Sequence, residues 1–126
     1  SRIHLLGYKS GEDLQREVGN ARFTVLSSEW RENMPYSGLE SLAAQTPIIG
    51  ARIGGIPELV EEGKTGVTFE SGNAVDLSNS MLKCAAVSAL NYSAMQHSCR
   101  EYVNARCLQN EYALALVDLY ERVIQR

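Results

Sequence analysis

The sequence predicts an α/β fold: an open parallel sheet of about four strands, helices on both faces, and a helical tail at the C-terminus. Two observations carry that expectation. Short β-rich runs alternate with segments whose apolar residues recur at helical spacing. The runs themselves are apolar on both faces rather than alternating, which is the pattern of a parallel sheet covered by helices on each side.

The elements follow in order. Ile3–Gly7 (IHLLG) is the first run, and a helical pattern over Gly11–Val18 comes after it. Phe23–Ser27 (FTVLS) is the second, leading to a helix over Tyr36–Ala44. Pro47–Ala51 (PIIGA) is the third, with a helical pattern over Ile56–Glu62, and Gly66–Phe69 (GVTF) is the fourth, with a helix over Ala74–Leu90. From Ser93 the chain reads as wholly helical. Met95, Cys99, Tyr102 and Val103 mark one helix, and Tyr112, Leu116, Leu119, Tyr120 and Val123 another. That tail has no catalytic constellation, and its expected work is packing. No internal repeat, low-complexity tract or Pro/Gly-rich linker divides the chain, so residues 1–126 read as one domain.

Composition narrows the function classes. A chain of 126 residues with 44% hydrophobic content suits a single core. Net charge is −3 and the 12 Lys and Arg are scattered, so there is no basic field to draw nucleic acid. No stretch approaches the ~20 apolar residues of a membrane helix. Cys84, Cys99 and Cys107 are an odd count without metal-ligand spacing, and they fit a reducing, cytoplasmic setting. Neither a metal nor a cofactor is expected. His4 and His97 lack partners at catalytic or metal spacing, and no GxSxG, GxGxxG or Walker loop is present.

Ligands of open parallel sheets bind beyond the carboxyl ends of the strands. The loops there are Gly7–Gly11, Ser27–Ser37, Arg52–Pro57 and Glu70–Ala74. The second is the richest: Glu29, Trp30, Arg31 and Glu32 precede Asn33-Met34-Pro35-Tyr36-Ser37 and a helix carrying Glu40. Asn33 or Ser37 is placed to cap that helix, and Pro35 suits its first turn. A helix start there aims free N–H groups and the positive dipole end into the crevice, which suits a phosphate. Carboxylates beside a phosphate repel it, so Glu32 and Glu40 are better suited to sugar hydroxyls. The residues alone leave a second reading open, in which both are only favourable first-turn charges. In the third loop, Gly54 and Gly55 permit close backbone approach or positive φ, and Pro57 opens another helix; read alone, such a turn is more often just a tight strand–helix connection.

The stretch Glu32–Glu58 (ENMPYSGLESLAAQTPIIGARIGGIPE) resembles the signature of the "group 1" retaining GT-B glycosyltransferases. It has two glutamates with seven residues between them, an Ala-rich helix, a strand-opening Pro47 and a Gly-Gly-x-Pro-Glu turn at Gly54, Gly55, Pro57 and Glu58. The following EEGKTGVTFESGNAVDLSNSM fits as well. The resemblance implies a Rossmann-like donor-binding domain and a role for each matching residue. Glu32 contacts donor-sugar hydroxyls and takes the catalytic assignment. Asn33, Met34, Tyr36 and Ser37 lie against the diphosphate and sugar at the helix start. Glu40 holds the ribose, Gly7, Tyr8 and Lys9 flank the nucleobase, and Gly54 and Gly55 form the cleft turn. The substrate implied is a nucleotide-diphosphate sugar.

Two departures shape what to look for. Family members carry Gly two positions before the strand-opening Pro, where this chain has Gln45; a side chain in a left-handed helix end costs on the order of 1 kcal/mol. The family's domain also begins with two strand–helix units that supply a Gly-Arg and a basic Arg/Lys pair for the diphosphate, and this chain shows no match to them. The sequence therefore reads as part of a larger enzyme whose N-terminal acceptor domain lies elsewhere, inactive by itself. Without the usual neighbours, Ile3–Gly7 must pair with the second run, pair with another chain or stand off the sheet, and exposed edges predict a dimer or swapped assembly. A nucleotide-sugar 2-epimerase of the same fold, a non-catalytic nucleotide-binding module and an ordinary dehydrogenase domain are the competing readings. The last lacks its phosphate fingerprint.

Overall fold

The computed structural model describes residues 3–107 and 109–124. Its elements are α1 (Gly11–Asn20), β1 (Thr24–Leu26), α2 (Tyr36–Ala43), β2 (Ile48–Ala51), a 3-10 turn (Ile56–Leu59), β3 (Gly66–Phe69), α3 (Ala74–Ala85), α4 (Ala89–Arg106) and α5 (Gln109–Ile124). The strands form one parallel sheet in the order β1-β2-β3. Thr24 stands opposite Ile48, and Ile48 opposite Gly66.

The unbroken apolar character of the third run is explained by its position. β2 is the central strand and every residue of it is buried. Because side chains alternate across a strand, Ile48 enters one core and Ile49 and Ala51 the other. The first core gathers Leu42, Ile48, Leu59, Val60, Cys99 and Tyr102 beneath α2 and α4. The second joins Ile49, Ala51, Phe69 and Cys84 on the α3 side. Burial pushes the Cys99 thiol up to about 12, so it sits there as a neutral, apolar group.

Buried hydroxyls lock the connections. Ser41 Oγ donates to the Thr46 carbonyl at 2.7 Å, and Thr46 Oγ1 donates to the Val18 carbonyl at 2.8 Å, tying α1 to the α2–β2 junction. At that junction Gln45 has φ of +59°. Thr46 N–H reaches the Ser41 carbonyl (2.9 Å) and Gln45 N–H the Leu42 carbonyl (3.0 Å), which is a complete Schellman closure without glycine. The left-handed geometry expected at this position is kept, side chain and all. Tyr102 Oη donates to the Glu58 carbonyl at 2.7 Å and fastens α4 to the 3-10 turn.

The structure corrects four expectations. Ile3–Gly7 forms no strand: residues 3–10 carry no regular structure, and Leu5 is 97% exposed. A strand persists only with a ladder partner, and none of the described residues forms the strands that would separate it from β1. The helical pattern over Ile56–Glu62 shortens to one 3-10 turn, because Thr65 Oγ1 accepts from Glu61 N–H and donates to the Leu59 carbonyl, turning the chain back into β3. The predicted helix Ala74–Leu90 breaks at Ala86–Ser88, where Ser88 Oγ accepts from Asn91 N–H and starts α4. Finally, only half of the tail packs. α4 buries Met95, Cys99 and Tyr102, whereas α5 leaves Tyr112, Leu114, Val117 and Val123 exposed. The cysteines are free thiols, and Cys107 is exposed.

Candidate functional site

At the carboxyl end of β1 the chain runs through Ser27 and Ser28 into the glutamate loop, and then into α2. A cavity of about 480 Å³ opens there, lined by Ser27, Ser28, Glu29, Trp30, Glu32, Pro35 and Ser37, with Leu26 and Ile56 among its apolar walls. It lies where an open parallel sheet places its ligands.

The Glu32 backbone is held by the glycine turn. Gly55 N–H donates to the Glu32 carbonyl at 2.7 Å. A Cβ on Gly55 would overlap the Asn33 carbonyl oxygen, and one on Gly54 the Glu32 carbonyl oxygen. Gly54 also has φ of +55°. Both reasons for glycine foreseen in the sequence therefore apply, and the turn does more than connect β2 to the next element. It clamps the neighbouring loop by backbone contact that any side chain would prevent. From the other side Ser28 Oγ donates to the Glu32 carboxylate, and Ser71 Oγ donates to the Ser28 carbonyl at 3.2 Å.

The start of α2 differs from the expected capping. Pro35 occupies the cap position with extended backbone, and neither Asn33 nor Ser37 caps the helix. Proline has no hydroxyl or amide to lend, so the N–H groups of Tyr36 and Ser37, first-turn donors without an intrahelical acceptor, remain for an acceptor from outside the helix. Gly38 completes the geometry. It is buried, and a Cβ there would press to 2.5 Å from Leu59 Cδ1, so the helix start lies close upon the sheet.

The expected site residues are only partly united. Glu32 and Ser37 line the same cavity, with Pro35 between them. Asn33, Met34 and Tyr36 are exposed along its rim segment. Glu40 turns elsewhere, into a separate cavity of about 500 Å³ with Gln15, Gln45 and Arg100, and into a smaller one against α1. Gly7, Tyr8 and Lys9 line neither the Glu32 cavity nor the Glu40 cavities. Ser28, Ser71 and Gly38 were not singled out from sequence. The Ser27-Ser28 pair ending an apolar run was the one visible signal for the first; Ser71 and Gly38 gain their roles only through contacts distant in the chain.

Farther along the same edge, Arg52 at the end of β2 donates to Thr68 Oγ1 (3.2 Å) and to Asp76 Oδ2 (3.0 Å). The Glu70 N–H, at 2.7 Å, and then Arg52 hold the Asp76 carboxyl below its ordinary value. Among the described residues no group of three or more His, Cys, Asp or Glu could hold a metal ion, and no helix is long and apolar enough to cross a membrane.

A parallel α/β sheet with a polar, ligand-sized cavity at its carboxyl edge, flanked by an uncapped helix start, defines an open-sheet binding domain. The family model described as "Glycosyl transferases group 1" matches residues 1–106, and the chain belongs to that family. It is 32% identical over 83 residues, 66% of its length, to an uncharacterized glycosyltransferase of Methanocaldococcus jannaschii, of which it covers 23%. Its fold is similar to a glycosyltransferase from Rickettsia africae (TM-score 0.81, 19% identity, 94% of this chain and 32% of that one). It is also similar to the Anabaena protein HepE solved in complex with UDP-glucose (TM-score 0.75, 20% identity, 90% and 31%). The chain thus spans between a fifth and a third of the length of these proteins.

Proposed function

We propose that this chain is the donor-binding part of a glycosyltransferase that moves a sugar from a nucleotide-diphosphate sugar to an acceptor with retention of configuration. In that reaction the bond between the anomeric carbon and the diphosphate oxygen breaks, and the nucleoside diphosphate leaves with the electron pair. A bond from the same carbon to an acceptor oxygen forms, and the acceptor hydroxyl loses its proton. The observation that carries the reading is the clamped Glu32 loop at the uncapped start of α2. The Glu32 carboxylate and the start of α2 at Pro35 and Ser37 border one cavity, matching hydroxyls on one part of a ligand and phosphate oxygens on the next.

In this reading Glu32 accepts hydrogen bonds from the transferred sugar and is the catalytic residue. The Tyr36 and Ser37 N–H groups, with Asn33 and Met34 beside them, receive the diphosphate, and Glu40, a turn along α2, takes the ribose hydroxyls from the neighbouring cavity. A second domain provides the acceptor site and the opposite cleft wall, and the strand–helix units with which the family's donor domain begins provide the cations that neutralise the diphosphate, in a cytoplasmic enzyme. The open edge of β1, where Val25 is 39% exposed, and the exposed Leu5-Leu6 pair support a further partner, a second copy of the chain.

Calorimetry with UDP, GDP and UDP-glucose tests the donor reading. Binding to one of them that is lost in Glu40→Ala and weakened in Glu32→Gln supports it. No binding to any, in a protein shown folded by circular dichroism, favours a non-catalytic module. Light scattering on a size-exclusion peak tests the assembly, and a clean monomer rejects it.

A further inference from the structure

A second cavity, of about 140 Å³, adjoins the Glu32 cavity; Ser27 and Glu29 line both. It continues along the carboxyl edge of the sheet to the start of α3, past Phe69, Gly72 and Asn73. The chain's single tryptophan, Trp30, lines the first cavity beside Glu29 and is 82% exposed. An indole left open to water next to carboxylate and hydroxyl acceptors needs a reason, since burying such a ring is normally favourable.

The chemistry of this groove selects its ligand. No Lys or Arg lines the smaller cavity, and Glu29 stands where it meets the first, so this end of the groove, away from the α2 start that takes the diphosphate, is unsuited to a second anion. The α3 start offers no alternative, because Asn73 Oδ1 already accepts from the Val75 N–H (3.1 Å) and the Asp76 N–H (3.0 Å). What remains suited is a neutral polyol with an apolar face: hydroxyls for Glu29 and Ser27, C–H groups for the indole. A pyranose ring has both. We propose that Trp30, Glu29 and Ser27 form a subsite for a sugar ring of the acceptor, next to the transferred sugar. The proposal rests on the donor reading for its position, since transfer requires the acceptor hydroxyl to stand beside the transferred sugar. It assigns part of acceptor recognition to this domain.

The single tryptophan makes the test direct. The indole N–H resonance of the 126-residue chain is followed while methyl glucoside and maltotriose are added, with and without saturating UDP-glucose, alongside calorimetry for the nucleotide. Expected is a saturable shift of the indole signal with the nucleotide-free sugars. Saturation-transfer contacts to the sugar ring protons should fall roughly tenfold in affinity in Trp30→Ala and be largely restored in Trp30→Phe. Glu29→Gln weakens binding while the indole environment of the unliganded chain stays unchanged. An indole that responds to UDP-glucose and not to free sugars puts Trp30 in the donor site and overturns the proposal while leaving the donor reading intact. A response to free sugars without nucleotide binding upholds the subsite and removes the donor reading. No indole response to any sugar overturns the subsite whatever the calorimetry gives.

Discussion

Ile3–Gly7 and Ile48–Ala51 are similar pieces of sequence with opposite fates. Each is a short run of Ile, Leu, Ala and Gly ahead of a polar loop, interrupted in the first by His4. Yet Leu5 is 97% exposed in irregular backbone, and Ile48 is fully buried in the central strand. Hydrophobicity is common to both, so it does not decide between them. β2 has a ladder partner on each side and a helical layer over each face, whereas residues 3–7 have no strand beside them. An apolar run becomes a strand when its N–H and C=O groups find partners, because leaving them unpaired in a core costs more than the burial returns.

The comparison can be broken most forcefully at its two ends. Ile48→Ala should cost about 2–5 kcal/mol in urea denaturation, while Leu5→Ala should stay within about 0.5 kcal/mol. Similar costs at the two positions would mean that residues 3–7 are packed in solution. The glycines extend the contrast. Gly55→Ala drives a Cβ into the Asn33 carbonyl and should cost roughly 1–3 kcal/mol, with the Trp30 resonance moving as the loop shifts. Gly7 also has positive φ, +69°, but nothing lies within 4 Å of its would-be Cβ. Its segment is free to relax, and Gly7→Ala should leave the urea midpoint nearly unchanged.

Smaller effects sharpen the picture. Gln45→Gly relieves a side chain held at φ +59° and should raise stability by up to about 1 kcal/mol, since the Schellman bonds remain. A loss instead would show that the Gln45 side chain repays its strain. A small, pH-dependent effect is expected at Asp76. Its carboxyl is held below the ordinary value, chiefly by the Glu70 N–H and then by Arg52. The unfolded state therefore binds the proton more readily, so the contribution is present above the ordinary carboxylate range and fades as pH falls through the depressed folded value. Asp76→Asn should flatten that part of the acid limb of the stability curve, its small cost appearing at neutral pH and vanishing at low pH, where the native carboxyl is protonated in both states.

Much of the site was legible in one dimension because its chemistry is local. Glu32, Pro35 and the start of α2 lie within a few residues of one another, and a strand-to-helix connection at a sheet edge brings them together wherever the sheet sits. The Gly54-Gly55 pair permitted a close backbone approach without requiring one, and gave no sign of what would approach. The capping expectation failed at Asn33 and Ser37 for an equally local reason, as Pro35 itself took the cap position.

By itself the sequence determined the three strands that form, their order of appearance and the helix starts at the carboxyl edge. These depend on periodicity, turn chemistry and connection length, which neighbours along the chain encode. Only the tertiary structure decided that the glycine turn clamps Glu32, that Glu40 opens into a different cavity from Glu32, and that Ile3–Gly7 stays off the sheet. Those outcomes depend on which groups meet across dozens of residues. The pairing and desolvation energies that settle them belong to the assembled layers, not to any segment alone.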